Sequence, residues 1–168
     1  MGILRIMEGY LMTNKAEIVK LTSAEISALW ATNINVSIVI CMVTHFLETC
    51  IDPEILTILE EGKHYAQKHK NEVEQLFLKE KMVIPEAFKV EKHVVPKAPK
   101  LFSDIYYIQC VLQMSKFGIA SHTVGFTISA REDVRKLFKN FMDDVSQFNN
   151  NVVSTMQEKG IYVRMPFM

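Results

Sequence analysis

Between Glu132 and Gly160 the apolar positions Val134, Phe138, Phe141, Val145, Phe148, Val152 and Met156 recur four and three residues apart. That spacing gathers them on one stripe of a helix, as the seam of a bundle requires. The stretch after Pro53 repeats the pattern with Ile55, Leu59, Gly62, Ala66, His69, Val73 and Leu76. Two other stretches have no polar face to speak of. Between Leu21 and Cys50 only Glu25 and Glu48 are formally charged, and between Leu101 and Ile128 only Asp104 and Lys116. A helix apolar nearly all round is expected to bury a second face.

Start and stop signals divide the chain into four helices. Thr22 with Glu25 three residues on forms a capping box, which satisfies two backbone donors reciprocally. Asp52-Pro53-Glu54 supplies a cap, a proline at the first helical position and an acid near the positive helix end. Ser129-Ala130-Arg131-Glu132 reads as a second capping box, and Lys159-Gly160 as a basic last turn followed by a left-handed cap. The predicted helices are 22–50, 53–81, 101–128 and 130–159, in a single domain spanning 1–168. Pro85, Pro96 and Pro99 interrupt the segment between the second and third helices.

Loop lengths choose among bundles. The first and last links are a few residues long and force antiparallel hairpins, whereas the middle link of about twenty residues can span about 60 Å when extended. That is enough to travel the bundle and start the third helix where the second started. The expected fold is all-α, a four-helix bundle with a ferritin-like up-down-down-up path and a long crossover between helices two and three. This path makes the first and third helices neighbours, so their surplus apolar faces merge into one wall. A homodimer through those two helices would cover it.

Composition narrows the partners. Lys plus Arg (19) equals Asp plus Glu (19), so no net field draws a polyanion and nucleic acid is not expected. The cysteines, Cys41, Cys50 and Cys110, are odd in number and widely spaced, which suits neither disulfides nor a zinc motif. Met1 to Met12 is apolar but carries Arg5 and Glu8 and no cleavage site, so secretion is disfavoured, synthesis is expected in the cytoplasm and Met12 is an alternative start. Val36 to Val43 is far shorter than the ~20 residues of a membrane span, so none is expected.

Four segments carry a resemblance: Leu21-Thr22-Ser23-Ala24-Glu25-Ile26-Ser27-Ala28-Leu29-Trp30, Ala98-Pro99-Lys100-Leu101-Phe102-Ser103-Asp104-Ile105-Tyr106-Tyr107, Ser129-Ala130-Arg131-Glu132-Asp133-Val134-Arg135 and Lys159-Gly160-Ile161-Tyr162-Val163-Arg164-Met165-Pro166. Over about residues 15–168 the chain resembles an uncharacterised family of endospore-forming Bacillus relatives described as spore-coat-like. Its members are commonly tandem duplications, ferritin-like in fold and related to coat protein F. The resemblance implies a structural role in the spore or its coat, alongside other spore proteins, and supplies no catalytic residues. This chain looks like a single copy, so two chains pairing would mimic the double form.

No enzyme is expected from the chemistry. A di-iron centre in such a bundle takes a Glu from each of two helices and Glu-x-x-His from the other two. Of Glu61-Gly62-Lys63-His64, the two candidate ligands Glu61 and His64 point away from the seam of their helix, and the fourth helix has no histidine. The ligand count fails, and no catalytic residue or cofactor is assigned. The inward polar residues are Asn33, Ser37, Thr44, Glu48, His69, Asp104, Ser115 and His122. Asn33, His69 and His122 fall near one level and are read as a buried polar cluster that fixes register. The alternative is a transition-metal site using His69, His122 and Glu48. Glu48 and Asp104 form the one inward acid pair, with Lys159 or Arg164 as a neutralising cation for Glu48. His45 and His93 are read as solvent-facing, and Trp30 and the phenylalanines as core. An apolar-ligand carrier is disfavoured, because Gly62, Ala66, Gly118 and Ala120 allow close packing.

Overall fold

The computed structural model describes residues 19–163. The expectations placed on Met1 to Met12, Arg164 and Pro166 lie outside the described residues. Within them the chain is all-helical: α1 (Ser23–Thr49), α2 (Pro53–Lys79), the one-turn α3 (Val90–His93), α4 (Asp104–Ile128) and α5 (Glu132–Glu158). The predicted third and fourth helices are thus α4 and α5. The four long helices form a bundle in which α1 packs along α2 and α4 along α5.

Three of the four starts follow local chemistry. Thr22 and Glu25 form both halves of the capping box on α1. Asp52 accepts from Glu54 N and Ile55 N at the head of α2, with Pro53 in the first turn. Ser103 caps α4 through Tyr106 N, so that helix begins three residues later than the apolar pattern predicts. At α5 the second capping box fails. Its cap residue is Arg131, which makes no side-chain cap, and the Ser129 hydroxyl instead donates back to the Gly125 carbonyl at 2.6 Å.

What holds that turn is Glu25. Its Oε1 accepts from Ala130 N at 2.9 Å and Arg131 N at 2.8 Å, while its Oε2 accepts from Thr22 N at 2.7 Å. One fully buried carboxylate therefore closes the start of α1 and the corner between α4 and α5 together. At the other end Asp104 accepts from Ile51 N and Asp52 N at 3.2 and 3.1 Å, joining the head of α4 to the corner between α1 and α2.

The α5 seam is buried throughout, and so is that of α2 except that Phe77 takes the inward place expected of Leu76. The core has two main clusters. One gathers Phe46, Leu59, Tyr107 and Val152, the other Leu29, Val73, Phe138 and Phe141. Along α2, His69 lies between them. The connection from Met82 to Ser103 covers part of the apolar surface of α1: Val90 packs against the cluster of Val36, Ile40 and Ala66, and Phe88 N donates to the Ser37 hydroxyl at 3.1 Å. By length and composition alone α1 is apolar enough to cross a membrane; in this fold Leu29, Val36 and Val43 are buried in the bundle.

Several side chains depart from their expected places. Trp30 is 54% exposed, and Phe88, Phe102 and Phe117 are exposed too, because each falls off its helix seam or lies on the connection. Glu48 is exposed, so it forms no inward pair with Asp104. Lys159 binds Asp52 at 2.8 Å and Glu54 rather than Glu48. His45 is half-buried, with its Nε2 buried and unpartnered. Glu61 is half-buried and accepts from Asn151 Nδ2 at 2.9 Å, while His64 and His93 are exposed.

Candidate functional site

The two core histidines are helical residues that the bundle brings face to face. His69 on α2 and His122 on α4 are 1% and 4% exposed, and their ring centroids lie 5.5 Å apart with the planes nearly perpendicular. Phe141 of α5 packs on both, with ring centroids 4.1 Å from His69 and 5.3 Å from His122. Neither position is chosen by helix propensity; each sits where an apolar seam residue would.

A residue absent from the sequence-based reading completes the group. His69 Nε2 lies 3.0 Å from Asp144 Oδ2, and the same oxygen accepts from Lys68 Nζ at 2.7 Å. Asp144 is on α5, one position before the seam residue Val145. The signal available was the pair Asp143-Asp144 in mid-helix: Asp144 follows Phe141 by three and precedes Phe148 by four, which places it on the flank of the buried stripe.

Electrostatics keep both rings neutral. Burial pushes His122 down to about 4, and the nearby His69 adds to that by like-charge repulsion. His69 is lowered by burial too, against the opposing pull of Asp144. For Asp144, burial alone would raise the carboxyl, but the hydrogen bonds from Lys68 and His69 hold it below its ordinary value. A neutral His69 facing an ionised Asp144 donates its Nε2 proton, which leaves the lone pair on Nδ1.

The remaining predicted residues divide. Asn33 is fully buried, yet both its amide atoms lack a hydrogen-bond partner and it bonds to neither histidine. Glu48 cannot reach the group: it is exposed at the end of α1, whereas His69 lies about 24 Å along α2 at 1.5 Å per residue. Ser115 donates to the Leu112 carbonyl and accepts from Asn149, and Thr44 donates to the Ile40 carbonyl, so both are satisfied within their surroundings. Among the described residues no three His, Cys, Asp or Glu side chains gather as metal ligands.

Beside the histidines a cleft of about 80 Å³ opens between α1 and α4. Val39, Val111, Met114 and Val145 contribute apolar walls, with His69 and His122 in the lining. Gly62, Ala66 and Gly118 line it as well, so these small residues border a space rather than closing it. The two glycines instead admit large partners: a Cβ on Gly62 would stand 2.8 Å from Phe148 Cζ, and one on Gly118 would stand 3.2 Å from Val145 Cγ1. The expected small residue Ala120 is exposed.

Chemically, Asp144 and His69 form an oriented imidazole without a nucleophile. No hydroxyl or thiol is hydrogen-bonded to either ring among the described residues, so the pair lacks the third member that acyl transfer needs.

Comparison with known proteins gives a family and a fold. The family described as "Protein of unknown function (DUF3231)" matches residues 11–168. No curated protein matches the chain. A crystal structure of a protein named "putative spore coat protein", from Bacillus halodurans C-125, superposes with a TM-score of 0.80 at 19% identity, covering 88% of this chain and 95% of the other. A conserved hypothetical protein from Mycobacterium tuberculosis superposes with a TM-score of 0.67 at 11% identity, covering 79% and 97%. At such identities the likeness shows the fold alone.

Proposed function

We propose, from the premise that this chain belongs to the DUF3231 family of proteins of unknown function, that it is a non-catalytic structural or assembly protein of spore-coat type. It is a ferritin-like bundle that pairs with a second copy through α1 and α4. The bonds of Asp104 to Ile51 and Asp52, and of Glu25 to Ala130 and Arg131, support the up-down-down-up path, because they put the heads of α2 and α4 at one end. The fold shared with the Bacillus halodurans protein supports the coat setting by analogy of fold.

The observation that carries the reading is the outer face of α4. Tyr106, Phe117, Val124 and Ile128 are all more than two fifths exposed, Phe117 at 60%. At 100° per residue these four fall within about 40° of one another, on one side of the helix, with the exposed Gln113 between Tyr106 and Phe117. Ile38 and Met42 of α1 are exposed as well. These side chains are already about half buried, so covering each is worth roughly 1 kcal/mol, and several on each copy must be covered together to offset the cost of association.

Sedimentation equilibrium on the full chain tests it. The expected result is a dimer that becomes a monomer, with unchanged helical circular dichroism, on Phe117→Glu. A wild-type chain that is monomeric and folded at tens of micromolar overturns the assembly reading.

A further inference from the structure

We propose that His69 and His122 together bind one first-row transition-metal ion, with Asp144 holding the His69 ring in place and the cleft between α1 and α4 giving the ion access to water or a small ligand. The inference stands apart from the assembly reading and does not need a dimer.

Four observations lead to it. The first is the spacing. With a metal–nitrogen distance of about 2.1 Å and a tetrahedral angle, two imidazoles sharing an ion have ring centroids about 5.3 Å apart. The observed separation is 5.5 Å.

The second is unmet bonding capacity. His122 is 4% exposed, its Nδ1 is buried with no partner, and no hydrogen bond reaches either of its nitrogens among the described residues. On His69 only Nε2 is bonded. A buried ring nitrogen is ordinarily paired, so His122 Nδ1 calls for a further atom beside it.

Third, the His69–Asp144 contact at 3.0 Å is the carboxylate–imidazole arrangement that fixes a ligating histidine's tautomer and orientation. It frees Nδ1 and makes it a better donor. Lys68, at 2.7 Å from the same Asp144 oxygen, keeps that carboxylate ionised and anchored.

The fourth is access. Both histidines line the cleft, so an ion can enter, and positions not filled by protein remain open. Two imidazoles in largely apolar surroundings suit Zn²⁺, Co²⁺, Ni²⁺ or Cu²⁺ better than Mg²⁺ or Ca²⁺, which require oxygen ligands. With two protein donors the affinity belongs in the micromolar range or weaker rather than the range of closed four-ligand sites.

Untagged full-length protein, stripped with chelator, is titrated with Co²⁺ and with Zn²⁺ by calorimetry, and the Co²⁺ complex is read by visible absorption. The expected result is one equivalent per chain, with Co²⁺ bands typical of nitrogen ligation displaced by Zn²⁺. His122→Leu and His69→Leu should each weaken binding at least tenfold. Asp144→Asn, which keeps the ring but weakens its anchor, should lose about tenfold. His64→Ala and His93→Ala, both on the surface, should leave binding unchanged. Overturning results are no binding up to millimolar ion, or binding that survives both core substitutions and falls with the surface ones. Should a core variant unfold, crystals of the wild type soaked in Zn²⁺ decide: anomalous density between the rings upholds the site, and a water molecule there overturns it.

Discussion

Glu25→Ala is the most informative single change to the fold. The side chain is fully buried and its two oxygens accept three backbone N–H groups, from Thr22, Ala130 and Arg131, at 2.7–2.9 Å. Truncation leaves those donors without partners, two of them on a corner that has no side-chain cap of its own. Each lost bond to a charged acceptor is worth about 1.5 kcal/mol, and the loop around the corner can rehydrate in part, so the net cost is about 3–5 kcal/mol. For a chain of this size that lowers Tm by about 8–15 °C. Glu25→Gln keeps an oxygen for Ala130 and Arg131 but offers an amide group where Thr22 N–H needs an acceptor, and should cost about 1–2 kcal/mol. The carboxyl carries a pH signature as well. Burial alone would raise it, but the N–H groups of Arg131, Thr22 and Ala130 and the Thr22 hydroxyl outweigh that and hold it below its ordinary 4.5. Its contribution is therefore complete above about pH 4.5 and is lost as pH falls through the lower folded value. Urea unfolding at pH 7 and at pH 3.5, followed by circular dichroism, measures both effects. A Glu25→Ala chain within about 0.5 kcal/mol of wild type at pH 7 would refute the claim that this one carboxylate closes both the start of α1 and the corner between α4 and α5.

His122 titrates at about 4 in the fold against an ordinary 6.5, so stability should fall as pH drops from about 6.5 towards 4, by about 3 kcal/mol for this group; denaturant melts should show a steeper fall in the wild type than in His122→Leu, where the lowered His69 still contributes. Gly125→Ala places a Cβ 2.5–2.7 Å from the fully buried Phe138 ring and should cost about 1–3 kcal/mol. Gly118→Ala meets only Val145, at 3.2 Å, and gains helix propensity, so its thermal melt should lie within about 1 kcal/mol of wild type. Lys81 ends α2 in the left-handed region at φ 57°, where glycine is favoured, and Lys81→Gly should stabilise by up to about 1 kcal/mol.

Much of the architecture was legible because it rests on local rules. The caps at Thr22 and Asp52 and the seam from Val134 to Met156 need only neighbours within a turn or two. The histidine pair was partly legible, since a polar residue at a seam position in each of two helices is conspicuous. Asp144 was not, because a flank residue of a seam is turned inward or outward by the rotation of the whole helix. Ser129 was misread for a similar reason: Ser-x-x-Glu reports a capacity to cap, but here the Ser129 hydroxyl turns back to the Gly125 carbonyl and the corner is held by Glu25, more than a hundred residues away in sequence.

The sequence by itself determined where α1 and α2 begin, which stripe of α2 and α5 is apolar, and that α1 and α4 carry more apolar surface than one seam can use. Periodicity and capping act within about one helical turn, so these properties survive without knowledge of the fold. Only the tertiary structure decided how that surplus is shared: the connection through Val90 covers part of α1, while Phe117 and its neighbours on α4 stay open. It alone set Asp144 against His69 and His122 against His69. Such contacts depend on the relative rotation and height of separate helices, quantities that no spacing within a single helix encodes.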